Sequence, residues 1–360
     1  MEPKHDRTMK RIFLIINCIL LATGATGGPL IIRLYFIHGG NSVWLSSFLQ
    51  GAGFPIILIP LSISYIIRRR RRINSTHDDN TKLKMINMKL PLFLYSSIIG
   101  VITGLDNYLY SYGVSRLPVS TAALIVASQL AFTAIFAFFL VKQKFTSYSV
   151  NAIVLLTLGA GILALHTDGD RPNGESSKTY VMGFVFTLVA AVVYGFILPL
   201  VEFSYSKGKQ AITYTLVLEI QLVMCFFASL FCLIGMIISK DFQSISREKW
   251  HYGLGEASYY VVLVGSAIIW QINFLGAVGV IFCSSSLLCG VLIALMVPIT
   301  QVLAVIFYKE KFNAEKGVSL VLSIWGFVSY FYGEFKQAKK MMKNPTLVDE
   351  LPQNQSITNP

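Results

Sequence analysis

Apolar residues run along this chain in long stretches separated by short polar connections. Ten stand out, roughly 12–36, 43–67, 91–113, 119–141, 148–166, 180–201, 211–236, 258–282, 285–308 and 315–333. As α-helices rising 1.5 Å per residue, each crosses about 30 Å of hydrocarbon. No ten-residue alternation of the barrel type runs through the sequence. Only helices and closed barrels satisfy every backbone polar group in lipid. The pattern therefore predicts an all-α integral membrane protein with ten transmembrane helices. Ile12–Ala22 followed by the small stretch Thr23–Gly28 has the outline of a cleaved leader. Apolar character resumes from Pro29 to Phe36, however, so the segment reads as the first crossing.

Composition agrees with a bilayer as solvent. Of 360 residues, 54% are hydrophobic and 13% charged, with a mean hydropathy of +0.62. Soluble domains carry about 25% charged residues, so a soluble enzyme is excluded. The net charge of +12 would suggest nucleic acid in a soluble protein. On this background it marks loops facing anionic lipid, and no nucleic-acid partner is expected. The densest basic loop holds Arg68 to Arg72 with Lys82, Lys84 and Lys89. Placing it inside puts both termini in the cytoplasm. The expected organisation is a cytoplasmic segment 1–11, a first five-helix repeat 12–166, a connecting loop 167–179, a second five-helix repeat 180–335 and a disordered cytoplasmic tail 336–360. The plasma membrane is the expected location.

The repeat shows in short matches. Phe138-Phe139-Leu140-Val141-Lys142-Gln143-Lys144-Phe145 aligns with Val305-Ile306-Phe307-Tyr308-Lys309-Glu310-Lys311-Phe312, 167 residues later. Asn107-Tyr108-Leu109 meets Asn273-Phe274-Leu275, 166 residues later, and Pro29-Leu30 corresponds to Pro199-Leu200. Five crossings per half is an odd number, so the second half is inverted relative to the first. Inverted repeats are a transporter signature, with the substrate site at their interface near the midplane.

Polar side chains inside apolar spans are costly and mark pathways. Gln50 lies about 11 Å into the second span, Gln129 about 15 Å into the fourth and Glu219 about 12 Å into the seventh. Trp270 and Gln271 lie about 18–20 Å into the eighth. Asp106 and Asn107 sit in the outer third of the third span. Carboxamides bond a heteroaromatic edge through one donor and one acceptor at once, and Trp270 offers a face for stacking. No Lys or Arg lies mid-span, which disfavours phosphorylated substrates. The candidate substrate-binding residues are Gln50, Asn107, Gln129, Trp270, Gln271 and Asn273. A carboxyl group in a low-dielectric setting can exchange a proton near neutral pH, so Glu219 and Asp106 are the candidates for proton coupling. The five cysteines form no CxxC pair and the histidines no HExxH, so neither a metal nor an organic cofactor is expected. A proton gradient supplies the energy. The prolines at 29, 55, 60, 199 and 298 interrupt spans and permit kinks. Ser284-Ser285-Ser286 reads as a cap of the ninth span. Trp44 and Trp250 read as interfacial anchors and Trp325 as packing.

Several segments resemble one family. They include Gly27-Gly28-Pro29-Leu30, Arg33-Leu34-Tyr35-Phe36, His38-Gly39-Gly40, Trp44-Leu45-Ser46-Ser47 running to Gln50, and Gly53-Phe54-Pro55. Asp106-Asn107-Tyr108-Leu109-Tyr110, Leu117-Pro118-Val119-Ser120-Thr121, Gln129-Leu130-Ala131-Phe132, Trp270-Gln271 and Trp325-Gly326-Phe327 with Tyr332-Gly333-Glu334 continue it. Over residues 12–336 the chain resembles the plant purine permeases of the drug/metabolite transporter superfamily. Gly51 stands where that family more often has Thr. The resemblance implies ten helices in two inverted halves and proton-coupled import of purine nucleobases and related N-heterocycles such as adenine and cytokinins. The alternative on the same fold is an exporter or facilitator of another small metabolite: an alkaloid, a vitamin or an amino acid. An intramembrane enzyme has no catalytic His pair or metal cluster to work with.

Overall fold

The structure, a computed structural model, describes residues 4–74, 87–143, 145–165, 177–208, 210–309 and 314–343. Among the described residues it contains helices and no strands. Helix α1 spans Lys4–Ile37. Helices α2 (Val43–Ala52) and α3 (Leu58–Asn74) are joined by a 3-10 turn at Phe54–Ile57. Helix α4 covers Leu90–Arg116. Helices α5 (Val119–Ala127) and α6 (Gln129–Val141) meet at Ser128, and α7 is Ser147–Leu165. The remaining helices are α8 (Ser177–Lys207), α9 (Tyr214–Ile238), the short α10 (Phe242–His251), α11 (Glu256–Cys283), α12 (Ser286–Tyr308) and α13 (Ala314–Lys343).

Seven helical segments are long and apolar enough to cross a membrane: Met9–Ile37, Val43–Arg70, Leu90–Arg116, Lys178–Lys207, Tyr214–Ile238, Glu256–Cys283 and Ser286–Tyr308. The apolar stretches Ile125–Val141, Ser147–Gly159 and Gly317–Gly333 are shorter. The arginines 68–72 extend α3 rather than opening a loop, and Lys82 and Lys84 lie outside the described residues. Helix α13 continues past residue 335, the expected end of the second repeat, to Lys343.

Packing pairs the two halves by exchange. Helix α1 lies along α11, and α4 lies along α8. Helix α2 packs on both α9 and α11, while α9 packs on α4; α7 and α13 pair with each other. Swapping the first five apolar stretches with the last five maps this set of contacts onto itself. The boundaries repeat too. Arg116 and Cys283 end α4 and α11, Val119 and Ser286 begin α5 and α12, and Ser147 and Ala314 begin α7 and α13, each pair 167 residues apart. Lys142 and Lys309, also 167 apart, close α6 and α12 in the left-handed conformation, with φ of 52° and 53°. Ser285 caps α12 by accepting from the Leu288 backbone N–H at 3.2 Å, as the sequence leads one to expect.

Two expectations about tryptophan change. Trp44 is not simply an anchor: it stacks on Tyr108 at 4.0 Å between ring centroids, over the bare backbone of Gly235. Trp325 is 65% exposed and faces outward instead of packing inside.

Helix α10 was absent from the apolar pattern because it is short and polar. It turns Glu248 inward while Phe242 and Trp250 stay exposed. The Glu248 carboxylate accepts from Tyr35 Oη at 2.7 Å, from Tyr259 Oη at 3.0 Å and from the backbone N–H groups of Asn41 and Ser42 at 3.0 Å each. One side chain thus ties α10 to α1, α11 and the start of α2. Burial, and then the Glu248 charge, pushes the neighbouring Tyr252 phenol up to about 12. Glu248→Ala strands these donors, each costing about 1–3 kcal/mol when buried and unmade. The expected result is a melting midpoint several degrees lower in detergent, with Glu248→Gln falling less. A Glu248→Ala protein that melts like the wild type removes this latch.

Candidate substrate site

Helix α1 carries a face of small residues, Gly24, Ala25, Gly28 and Pro29, toward α11. A methyl group at Gly28 would come within 2.9 Å of the Trp270 ring, and one at Gly24 would overlap Asn273 itself. This close approach sets the position of both α11 side chains. Pro29 has no N–H to give the Ala25 carbonyl, and both residues face the same space.

That space is a cavity lined by Ala25, Pro29, Gln50, Asp106, Asn107, Tyr110, Val126, Gln129, Ala190, Ala191, Tyr194, Trp270, Asn273, Phe274 and Ile293. The room open to the centre of a water-sized sphere is about 80 Å3. One water needs roughly 10–15 Å3 on that measure, so the cavity admits something larger. Two of its walls are helix breaks. Gln50 sits just before the turn at Gly53–Ile57, and Gln129 follows the tightened turn at Ser128, whose backbone N–H bonds the Ile125 carbonyl at 3.1 Å. Irregular backbone at such depth survives where it borders a cavity.

Of the eight residues singled out in the sequence, six line this cavity: Gln50, Asp106, Asn107, Gln129, Trp270 and Asn273. Asn107 and Asn273, partners in the repeat, face it from α4 and α11. Gln271 is buried but backs onto Gly53, with neither amide atom hydrogen-bonded. Glu219 lies at the foot of α4, where Oε2 accepts the Asn87 backbone N–H at 2.9 Å. Neither is part of the cavity lining. Gly51 does not face it either. A side chain there would meet Ser229 Oγ, so the departure from Thr falls on the α2–α9 contact. Sequence reasoning missed Tyr194, Phe274 and Ile293. The one available signal was a lone Tyr in the middle of the apolar run 180–201.

The polar atoms of the lining are short of partners. Asp106 Oδ1, Asn107 Nδ2, Gln129 Nε2, Tyr194 Oη, Trp270 Nε1 and Asn273 Oδ1 are buried without a hydrogen bond. Roughly 90% or more of buried polar groups are normally paired, so their convergence on one space is what a ligand would satisfy. They offer three donors, two acceptors and a phenol that can act as either. Aromatic surfaces enclose them: Trp270 meets Tyr110 edge-on at 5.7 Å and lies 5.9 Å from Phe274. No Lys or Arg is among the described lining residues. The arrangement suits a small, flat, uncharged ring with nitrogen donors and acceptors on its edge.

Known proteins point the same way. A family model described as purine nucleobase transmembrane transport matches residues 12–340. The chain belongs to the purine permease family. Purine permease 3 of Arabidopsis thaliana is 56% identical over 331 residues, covering 92% of this chain and 93% of that one. Purine permease 2 of the same plant is 51% identical over 355 residues, covering 96% and 98%. A solved crystal structure matches with a TM-score of 0.53 at 14% identity, over 91% of this chain and 98% of its own. At that identity the likeness concerns the fold alone. The protein is thus a multi-pass integral membrane transporter of a purine permease family, not an enzyme.

Trp270 depends on Gly28 for its place. Gly28→Ala pushes the ring into the cavity, and half-saturation of uptake rises about tenfold, as the loss of roughly 1.4 kcal/mol of binding requires. Uptake kinetics at matched surface expression check this; unchanged half-saturation detaches Trp270 from the ligand.

Proposed function

We propose that this purine permease imports purine nucleobases and related N-heterocycles, adenine and cytokinins among them, across the plasma membrane by proton-coupled alternating access. Ten crossings in two inverted halves, with both termini cytoplasmic, form the transport path. The exchange symmetry of the helix contacts and the 167-residue periodicity of helix ends support that arrangement. The observation that carries the substrate reading is the set of six unpartnered polar atoms around one aromatic-walled cavity. Purine edges alternate donors and acceptors and stack on aromatic faces. Trp270, Tyr110 and Phe274 hold the ring face, and Gln50, Asn107, Gln129 and Asn273 read its edge.

Asp106 is the first candidate for the coupled proton. It is the one carboxyl group among the described residues of the cavity wall, and none of those residues is a cation. A bare carboxylate in such a place costs several kcal/mol, which a proton relieves. Proton and substrate would bind side by side and leave together. Glu219 is the second candidate, at the foot of α4.

Labelled adenine uptake into yeast lacking purine transporters tests the reading. Lowering external pH from about 7 to about 5 adds about 2.7 kcal/mol of driving force per proton. Uptake is therefore faster at the lower pH, collapses with a protonophore and is competed by a cytokinin. No uptake and no competition, with the protein at the cell surface, defeats the substrate reading. Asp106→Asn loses accumulation and acid stimulation but retains exchange of internal for external adenine. If Asp106→Asn stays acid-stimulated and Glu219→Gln does not, the proton travels at the foot of α4 instead.

A further inference from the structure

Gln50 differs from the other carboxamides of the cavity in having both amide protons taken by the protein. Its Nε2 donates to the Asn107 carbonyl at 3.2 Å and to Ser111 Oγ at 2.8 Å. Ser111 Oγ donates its own proton to Ser46 Oγ at 3.2 Å. A hydroxyl has one proton and two acceptor sites, so with the proton turned to Ser46, Ser111 meets Gln50 only as an acceptor. Two acceptors on α4 face the amide, and only its NH2 side can face them. All three side chains are buried, Gln50 at 1% exposure. Gln50 lines the cavity, so Oε1 is the atom it has left for a ligand. By contrast, Gln129 Nε2 and Asn107 Nδ2 have no partner. Among the described residues no side-chain hydrogen bond holds those two amides to one face, and they can turn over to suit what binds.

We propose that Ser111, itself held by Ser46, is a positioning residue that fixes Gln50 as an acceptor in the cavity. The site thereby selects heterocycles that bring an N–H to that point and rejects the same ring alkylated there. This rests on the purine-transport reading above. The selection is a matter of an unpaired buried acceptor, not of size. An analogue lacking the N–H leaves Oε1 stranded, while the locked amide cannot reverse to offer a donor.

The test uses the full chain in the uptake assay, with adenine as the probe and two competitors. 9-Methyladenine lacks the imidazole N–H, and N6,N6-dimethyladenine lacks the exocyclic N–H groups; between them every N–H of adenine is removed. Against the wild type, one of the two competes about tenfold more weakly than adenine itself, the penalty expected of one stranded buried acceptor. In Ser111→Ala the shorter of the two bonds is gone and the Asn107 carbonyl at 3.2 Å alone holds the amide, so it turns far more readily. That discrimination shrinks toward equality, and the change falls on half-saturation rather than on maximal rate. Ser46→Ala gives a second reading should Ser111→Ala fail to reach the surface. It frees the Ser111 proton to point at Gln50, so discrimination weakens there also. Ser111→Thr keeps the hydroxyl and retains wild-type discrimination. Wild-type discrimination kept in Ser111→Ala, or in Ser46→Ala where the first variant is not at the surface, overturns the lock and leaves purine transport standing. A wild type competed equally by all three compounds overturns it as well. A wild type that takes up no adenine and is competed by no purine overturns the substrate reading, and the lock with it.

Discussion

No water waits in the middle of a bilayer, so each polar group placed there has to be paired inside the chain or by a ligand. Part of this protein obeys in the simplest way. The hydroxyls of Ser47, Ser96, Thr103, Thr187 and Thr300 each bond the carbonyl four residues back on their own helix. These groups ask nothing of neighbouring helices and carry no message about function. The lining of the central cavity breaks the rule in a body. Six polar atoms there have no partner, and they come from α4, α6, α8 and α11, helices far apart in sequence. Other buried amides such as Gln271 and Gln301 also lack partners, but among the described residues only here do such atoms converge on one space, where a single ligand would return the lost hydrogen bonds together.

The second constraint is distance. Helix α1 approaches α11 closely enough that Gly24 and Gly28 meet Asn273 and Trp270 with no side chain between. Gly276 and Gly279 receive α1 in return, around Asn17 and Leu21. The same small residues that allow this contact define how far two ligand-facing groups project. Packing and recognition therefore share residues, and a methyl group added for helix propensity would act on the site.

Much of this was legible in the sequence, for identifiable reasons. Hydropathy alone locates the helices to within a few residues in most cases, because lipid demands long apolar runs. Six of the eight site residues reach the cavity, because an amide, an indole or a carboxyl deep in an apolar run has few other reasons to be there. The misplaced pair shows the limit of depth. Gln271 is as deep as its neighbour Trp270 but points elsewhere, and depth along a helix carries no azimuth; Glu219 lies shallower than the apolar run suggests, in the second turn of α9 beside Asn87. Helix α10 and its inward Glu248 were invisible, since a ten-residue polar helix leaves no apolar signature. Ser111 was hidden for another reason. Its importance lies in which way its proton points, and that depends on Ser46, 65 residues away.

The two halves share a plan but not a task. Gln50 and Gln221 each stand eighth in their helices, α2 and α9. Gln50 reaches across to α4, while Gln221 turns back to Cys225 Sγ on its own helix at 3.0 Å. The break after α2 at Gly53 has no counterpart in the continuous α9. Met296, 167 residues on from Gln129, carries no amide at all. The amide and carboxyl groups of the lining thus come chiefly from the first half, as Gln50, Asp106, Asn107 and Gln129. Ring surfaces come chiefly from the second, as Tyr194, Trp270 and Phe274, with Tyr110 added by the first. A flat ligand gripped at its edge by one half and at its face by the other loses both sets of contacts when the halves separate. Its binding energy is then a function of how the halves sit, which is the thermodynamic condition for a ligand to bias one arrangement over another.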